Sequence, residues 1–172
     1  MKRLLIVDGY NVLNFARPGL MGRQLDDARD QLIDRLHDYA SYSGQGVVAV
    51  FDAWKSDRMS RSIETKDQLT VVFTRRGETA DHYIERLCDD KKRLVDARKL
   101  EIRVATSDLV EQTVIFGRGA VRMSARELLG EMDDMKAMAR KSVKPKAPQK
   151  ATVMDGLPGD VRAKLERLRR GE

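Results

Sequence analysis

Short apolar runs alternate with amphipathic segments along most of the chain. Leu4 to Val7 and Val47 to Phe51 are unbroken apolar runs, the pattern of strands buried on both faces of a parallel sheet, and Leu69 to Phe73 reads as another strand. Ile102 to Ser107 is a further strand-like segment, and Ala120 to Met123 a last one. Between them the period changes. Leu25, Ala28, Leu32, Leu36 and Tyr39 recur at helical spacing with acids early in the segment, which predicts a surface helix packed on the sheet. Ala80, Ile84, Leu87 and Cys88 form a second apolar face, with Tyr83 at its border, and Leu109 to Phe116 reads as a short helix. Ser124-Ala125-Arg126-Glu127 is a capping box that opens a helix with Leu128, Leu129, Met132 and Met135 inward. The alternation predicts an α/β domain built on a mainly parallel sheet.

The interruptions have their own composition. Asn14 to Arg23 carries Phe15, Arg17, Pro18, Gly19 and Gly22, and is either a lid over ligand or an ordinary connection. Ala53 to Asp67 is polar and basic, with Trp54, Lys55, Arg58 and Arg61. An aromatic among cations suits base stacking beside phosphates, and a solvated loop with a half-buried Trp is the competing reading. Lys141 to Lys150 has two prolines and four lysines and no core-forming residue, so it predicts a linker. The expected organisation is a domain over 1–140, a basic linker over 141–158 and a short basic amphipathic helix over 159–172, carrying Val161, Leu165 and Leu168.

Composition narrows the function. The chain has 172 residues and a net charge of +6, with a pI near 9.5, which favours an acidic partner such as RNA or a ribonucleoprotein surface. A lone cysteine, Cys88, excludes an internal disulfide and fits the reducing cytoplasm. No apolar run approaches the roughly 20 residues that span a bilayer, and the N-terminal stretch lacks the apolar core of a signal peptide. Membrane partners are therefore not expected.

The candidate chemistry lies where the strands end. The first apolar run stops at Asp8, the second at Asp52 and the strand-like segment before residue 108 at Asp108. In open α/β sheets ligands bind at the carboxyl ends of the strands, so these acids should share one edge. Gly9 is expected to let the chain turn after Asp8, and the plainer reading of Asp8 is a helix cap. Glu78 and Asp81, three residues apart in a first helical turn, lie on one side of that helix. Asp81 is the choice for a fourth carboxylate, with Glu78 after it, although acids there also serve the helix dipole. Crowded carboxylates repel unless a cation joins them, and hard oxygen ligands select Mg²⁺ or Mn²⁺. Arg75 and Arg76 just upstream are placed to hold phosphates. His37 reads as structural or solvated. His82, beside Asp81, is within reach of a supporting role, but the two histidines make a poor acid–base pair for metal-free cleavage.

Leu5-Ile6-Val7-Asp8-Gly9-Tyr10-Asn11, Val50-Phe51-Asp52, Gly77-Glu78-Thr79-Ala80-Asp81 and Ala105-Thr106-Ser107-Asp108, in that order, resemble the YacP-like NYN-domain family of the PIN-like nuclease group. The resemblance covers about residues 2 to 135. It implies a compact three-layer α/β/α sandwich and metal-dependent endoribonuclease activity on RNA, with messenger RNA as substrate and the ribosome as partner. By the same similarity Asp8, Asn11, Asp81 and Asp108 form the acidic and polar centre, while Asp52 and Glu78 match motif positions. Asp8, Asp81 and Asp108 would then hold Mg²⁺ or Mn²⁺, helped by Asn11, with Arg17, Trp54, Lys55, Arg58, Arg75 and Arg76 on the RNA. Two other readings compete. One is a PIN-like module that grips RNA or ribosomes without cutting. The other is a small-molecule phosphotransferase or phosphohydrolase, disfavoured because no GxxxxGK[ST] loop is present and no acid follows two residues after Asp8.

Overall fold

The structure, a computed structural model, describes residues 1–52, 60–107, 119–142 and 167. The chain divides into two compact units, Met1–Ala139 and Arg140–Glu172, and the fold described here is that of the first. Its elements are β1 (Lys2–Asp8), α1 (Gly9–Ala16), α2 (Gly22–Ser43), β2 (Gly46–Phe51), β3 (Ser62–Lys66), β4 (Leu69–Phe73), α3 (Ala80–Asp96), β5 (Leu100–Ala105), β6 (Val121–Met123) and α4 (Ala125–Ser142). The strands form one sheet in the order β3-β4-β2-β1-β5-β6. β1 lies in the interior and pairs in parallel with β2 and β5; β2 with β4 and β5 with β6 are also parallel. Only β3 runs antiparallel, against β4.

Alternation along each strand sorts the core into two layers. Leu5, Val7, Val47, Ala49, Phe51, Phe73 and Ala105 face one way and pack under α1, α2 and α4 through Val12, Leu13, Leu32, Leu36, Leu128 and Met132. Ile6, Val50, Val72, Ile102 and Val104 face the other way, under Ala80, Ile84 and Cys88 of α3. Each large side chain so buried contributes about 1.5–3 kcal/mol, and a sheet covered on both faces explains why its strands read as continuous apolar runs. This is the three-layer α/β/α sandwich expected from the resemblance.

Local signals account for the helix ends. Ser124 and Glu127 close the capping box, with Glu127 N donating to Ser124 Oγ at 3.2 Å and Ser124 N to Glu127 Oε2 at 2.7 Å. Gly44 ends α2 in the left-handed conformation. Three expectations are corrected. The segment Asn14 to Arg23 is not a single loop: α1 runs on to Ala16 and α2 begins at Gly22, because Asp8 caps α1 and Val12 and Leu13 bury against the sheet. The strand before Asp108 stops at Ala105, where its partner Val7 lies one residue from the end of β1. β3 was absent from the apolar pattern because it is an edge strand exposed along most of its length, so neither face demands hydrophobic residues.

Candidate active site

The carboxyl ends of β1, β2 and β5 meet at one edge of the sheet. Asp8 is the last residue of β1, opposite Val50 of β2. It is 8 % exposed and caps α1, its Oδ1 accepting the Asn11 backbone N–H at 3.0 Å. That uses one carboxylate oxygen on a free N–H of the first turn, where the helix dipole favours negative charge. Gly9 is needed here for space rather than for turning: it is the first helical residue, and a Cβ on it would sit 2.2 Å from Cε1 of the buried Phe51 ring. Phe51 in turn packs edge-on to Tyr10, with ring centroids 5.2 Å apart. The Asp8-Gly9-Tyr10 corner is thus clamped onto the end of β2.

Asp52 follows Phe51 directly, and its Oδ2 accepts the Ala80 N–H at 3.2 Å. One carboxylate therefore binds the end of β2 to the start of α3, bringing the first turn that contains Asp81 to the acidic edge. Thr79 caps the same helix by accepting the His82 N–H at 3.2 Å. Asn11 makes the third link: its Oδ1 accepts the Ser107 N–H at 2.6 Å, tying α1 to the chain leaving β5, one residue before position 108. Asp108 lies outside the described residues, as do Trp54, Lys55 and Arg58. Among the described residues no group of three His, Cys, Asp or Glu side chains is arranged to hold a metal ion. Asp8, Asp52, Asp81 and Asn11, whose backbone positions lie at this edge, offer oxygen donors only, the chemistry that suits Mg²⁺ or Mn²⁺.

Glu78 is placed differently from the other acids. Its side chain is 6 % exposed and its two oxygens accept four hydrogen bonds. Arg61 donates from Nη2 to Oε1 at 2.5 Å and from Nε to Oε2 at 3.1 Å. Arg86 Nη2 also donates to Oε1, and the Arg75 backbone N–H reaches Oε2 at 3.4 Å. Burial by itself would push the Glu78 carboxyl up, but the hydrogen bonds from Arg61 and Arg86 outweigh it and hold the group below the usual carboxylate range. A carboxylate so saturated has no lone pair left for a metal ion. Arg75, Arg76, Gly77, Glu78, His82, Glu85 and Arg86 line an open depression of about 530 Å³. Arg17 is exposed at the end of α1, its backbone N–H on the Leu13 carbonyl at 2.8 Å. His37 pairs with Asp67 at 2.9 Å, a structural role, and Cys88 is packed in the core. The grip of Arg61 and Arg86 on Glu78 has no signature in the sequence. Each is an ordinary basic residue in its own segment, and only the fold brings them to one carboxylate.

The sequence matches the profile of the YacP-like NYN domain over residues 5–170. It is 37 % identical over 172 residues to the YacP protein of Bacillus subtilis (strain 168), covering 98 % of each chain. The crystal structure of Rae1 (YacP) from Bacillus subtilis superposes with a TM-score of 0.69 at 37 % identity, over 98 % of this chain and 95 % of that one. A crystal structure of a point mutant of the same protein gives a TM-score of 0.68 at 33 % identity, over 98 % and 99 % of the two chains.

Proposed function

The chain belongs to the YacP-like NYN-domain family, a nuclease-like domain, and on that premise we propose that it is a metal-dependent endoribonuclease acting on messenger RNA in association with the ribosome. The observation that carries the reading is the pair of bonds Asp52 to Ala80 N and Asn11 to Ser107 N, which ties three strand ends and the first turn of α3 to one acidic edge. In this reading Asp8, Asp81 and Asp108 hold the ion. A bound Mg²⁺ or Mn²⁺ supplies a water of lowered pKa and charge neutralisation at the scissile phosphate.

The chain's own residues do the rest. Asp8 is fixed by its cap to Asn11 and by the Phe51 ring behind Gly9, so its carboxylate keeps one position. Asn11 fixes the chain from which Asp108 follows. Asp52 holds the first turn of α3, and with it Asp81, against the end of β2. Arg75 and Arg76 hold backbone phosphates on one side, with Arg17, Lys55 and Arg58 as further phosphate contacts and Trp54 as a stacking surface for a base. Water adds to phosphorus and the P–O3′ bond breaks. The products are a 5′-phosphate and a 3′-hydroxyl, the leaving oxygen taking up a proton.

Asp8→Asn tests this directly. Asparagine caps a helix as well as aspartate does, so folding should be preserved while the carboxylate charge is lost. RNA cleavage by the purified chain should fall by about a hundredfold or more, with RNA affinity kept, and EDTA should stop cleavage in the unmodified protein. Cleavage undiminished in Asp8→Asn would remove Asp8 from the mechanism. RNA binding with no cleavage under any divalent ion would favour the non-catalytic binding module.

A further inference from the structure

The arginines around Glu78 outnumber the charge they bind. Arg61 and Arg86 both pair with the one carboxylate, and both guanidiniums lie over the Tyr83 ring, 5.1 and 5.8 Å from its centroid. Arg61 pairs through two N–H groups and Arg86 through one, and such pairing on one side with an aromatic face on the other fixes a guanidinium plane far better than either contact alone. Arg86 remains 52 % exposed. It spends Nη2 on Glu78 and keeps its Nη1 and Nε donors for another acceptor. Arg75 and Arg76 border the same depression, with Glu85 as the other acid on its wall. Four arginines against two glutamates leave a positive excess on a rigid, half-open surface, just where the loop from β4 enters α3.

We infer that Arg61, Arg86 and the Arg75–Arg76 pair form a phosphate subsite for the RNA strand beside the scissile bond, and that Glu78 is the positioning residue that organises it. Glu78 acts through the arginines and contacts neither metal nor substrate. Without it, four like charges would repel and their side chains would swing into solvent; with it, two guanidiniums are held before RNA arrives, which lowers the entropy cost of binding. This inference rests on the nuclease reading only for the identity of the strand that is bound.

Glu78→Gln separates positioning from simple charge. It removes a negative charge next to a phosphate site, so electrostatics alone demands tighter RNA binding. Positioning demands weaker binding, because the amide cannot accept the same fork of N–H donors. The measurement is the affinity of the full chain, in the Asp8→Asn background that blocks cleavage, for a fluorescein-labelled single-stranded RNA oligonucleotide across a salt series. Glu78→Gln should bind about two- to fivefold more weakly. Arg86→Ala should bind about three- to tenfold more weakly, with the slope of log K against log salt reduced by about 0.7, the value of one lost single-strand phosphate contact. Arg86→Lys should recover the slope and only part of the affinity, since an ammonium is a point charge. Equal or tighter binding by folded Glu78→Gln would overturn the positioning role. Unchanged affinity and slope in Arg86→Ala would overturn the subsite, and this variant decides alone if Glu78→Gln fails to fold. Because binding is read with cleavage switched off, a failure of the unmodified chain to cut RNA would count against the nuclease reading and leave this result standing.

Discussion

Two arginine–glutamate clusters sit on opposite faces of the sheet, and they differ in how completely their charges are closed. Under α2 and α4, Arg103 of β5 donates to Glu131 Oε1 at 3.0 Å and from Nη2 to Tyr39 Oη at 3.0 Å and Gln45 Oε1 at 3.3 Å. Tyr39 Oη donates to Glu131 Oε2 at 2.6 Å and accepts from Gln45 Nε2 at 2.9 Å. One cation meets one anion, Tyr39 and Gln45 share the Arg103 Nη2 donors, only the buried Arg103 Nε is left without a hydrogen-bond partner among the described residues of the cluster, and the Arg103 side chain is 19 % exposed. At the entrance to α3, two cations meet Glu78 and one of them stands half in solvent. A charge-balanced, largely buried network holds elements together; an open one with surplus positive charge is built to receive an anion. Residue types alone do not separate the two cases, whereas charge balance and exposure do.

The sharpest way to break this contrast is to cut one arginine from each cluster. Arg103→Ala strands the partners of a largely buried pair, which costs several kcal/mol when both ions are fully buried. Glu131 is 42 % exposed, so solvent screening lowers the expected loss to about 2 kcal/mol. Urea denaturation should record that loss, while RNA affinity of the folded protein stays as it was. Arg86→Ala should do the opposite, costing less than about 0.5 kcal/mol because Arg86 itself stands half in water and Arg61 still pairs with Glu78, while weakening RNA binding. If both variants lost stability equally and neither lost affinity, the clusters would be equivalent structural pairs and the distinction would fail.

The next largest effect concerns how much of the edge was legible beforehand. The apolar runs predicted β1 and β2, because strands buried on both faces cannot avoid being hydrophobic, and strand-like segments predicted β4, β5 and β6. Helical periodicity predicted α2, α3 and α4. Position along the chain also placed Asp8 and Asp52 at strand ends, since an acid directly after a core strand has nowhere else to go. The exposed edge strand β3 and the short α1 left no such trace, as neither depends on a long apolar stripe. Long-range pairing was not legible either: Asp52 with Ala80 N, Asn11 with Ser107 N, and Glu78 with Arg61 and Arg86 join segments whose meeting only the sheet order determines. Gly9 shows the same limit, because its lack of a side chain answers a ring 42 residues further on and not its own backbone. Gly9→Ala should therefore cost about 1–3 kcal/mol through overpacking against Phe51, measured by thermal unfolding. It should also lower cleavage by displacing Asp8, an effect that a glycine needed only for turning would not predict. No comparable loss should follow from Gly130→Ala, where an added Cβ meets nothing within 4 Å.

The smallest expected effect is also the one that compares the clusters under identical conditions, through acid. Burial works to raise both the Glu78 and Glu131 carboxyls, but hydrogen bonds overcome it. Arg61 and Arg86 lower Glu78, while Tyr39 and Arg103 lower Glu131. A folded-state value below the unfolded one means that, on acidification, the unfolded chain takes up these protons first. The stabilisation is therefore complete above the ordinary carboxylate range and is lost as pH falls through the folded values. Melting temperature should hold from neutral pH down to about pH 5 and decline below it, and Glu78→Gln and Glu131→Gln should each flatten that decline. Glu78 is the more enclosed of the two, so its variant should flatten the curve more, and added salt should erase less of its contribution. A larger change from Glu131→Gln would show that the open cluster is the more loosely coupled of the two in solution, with its arginines free to leave the carboxylate before any RNA phosphate arrives.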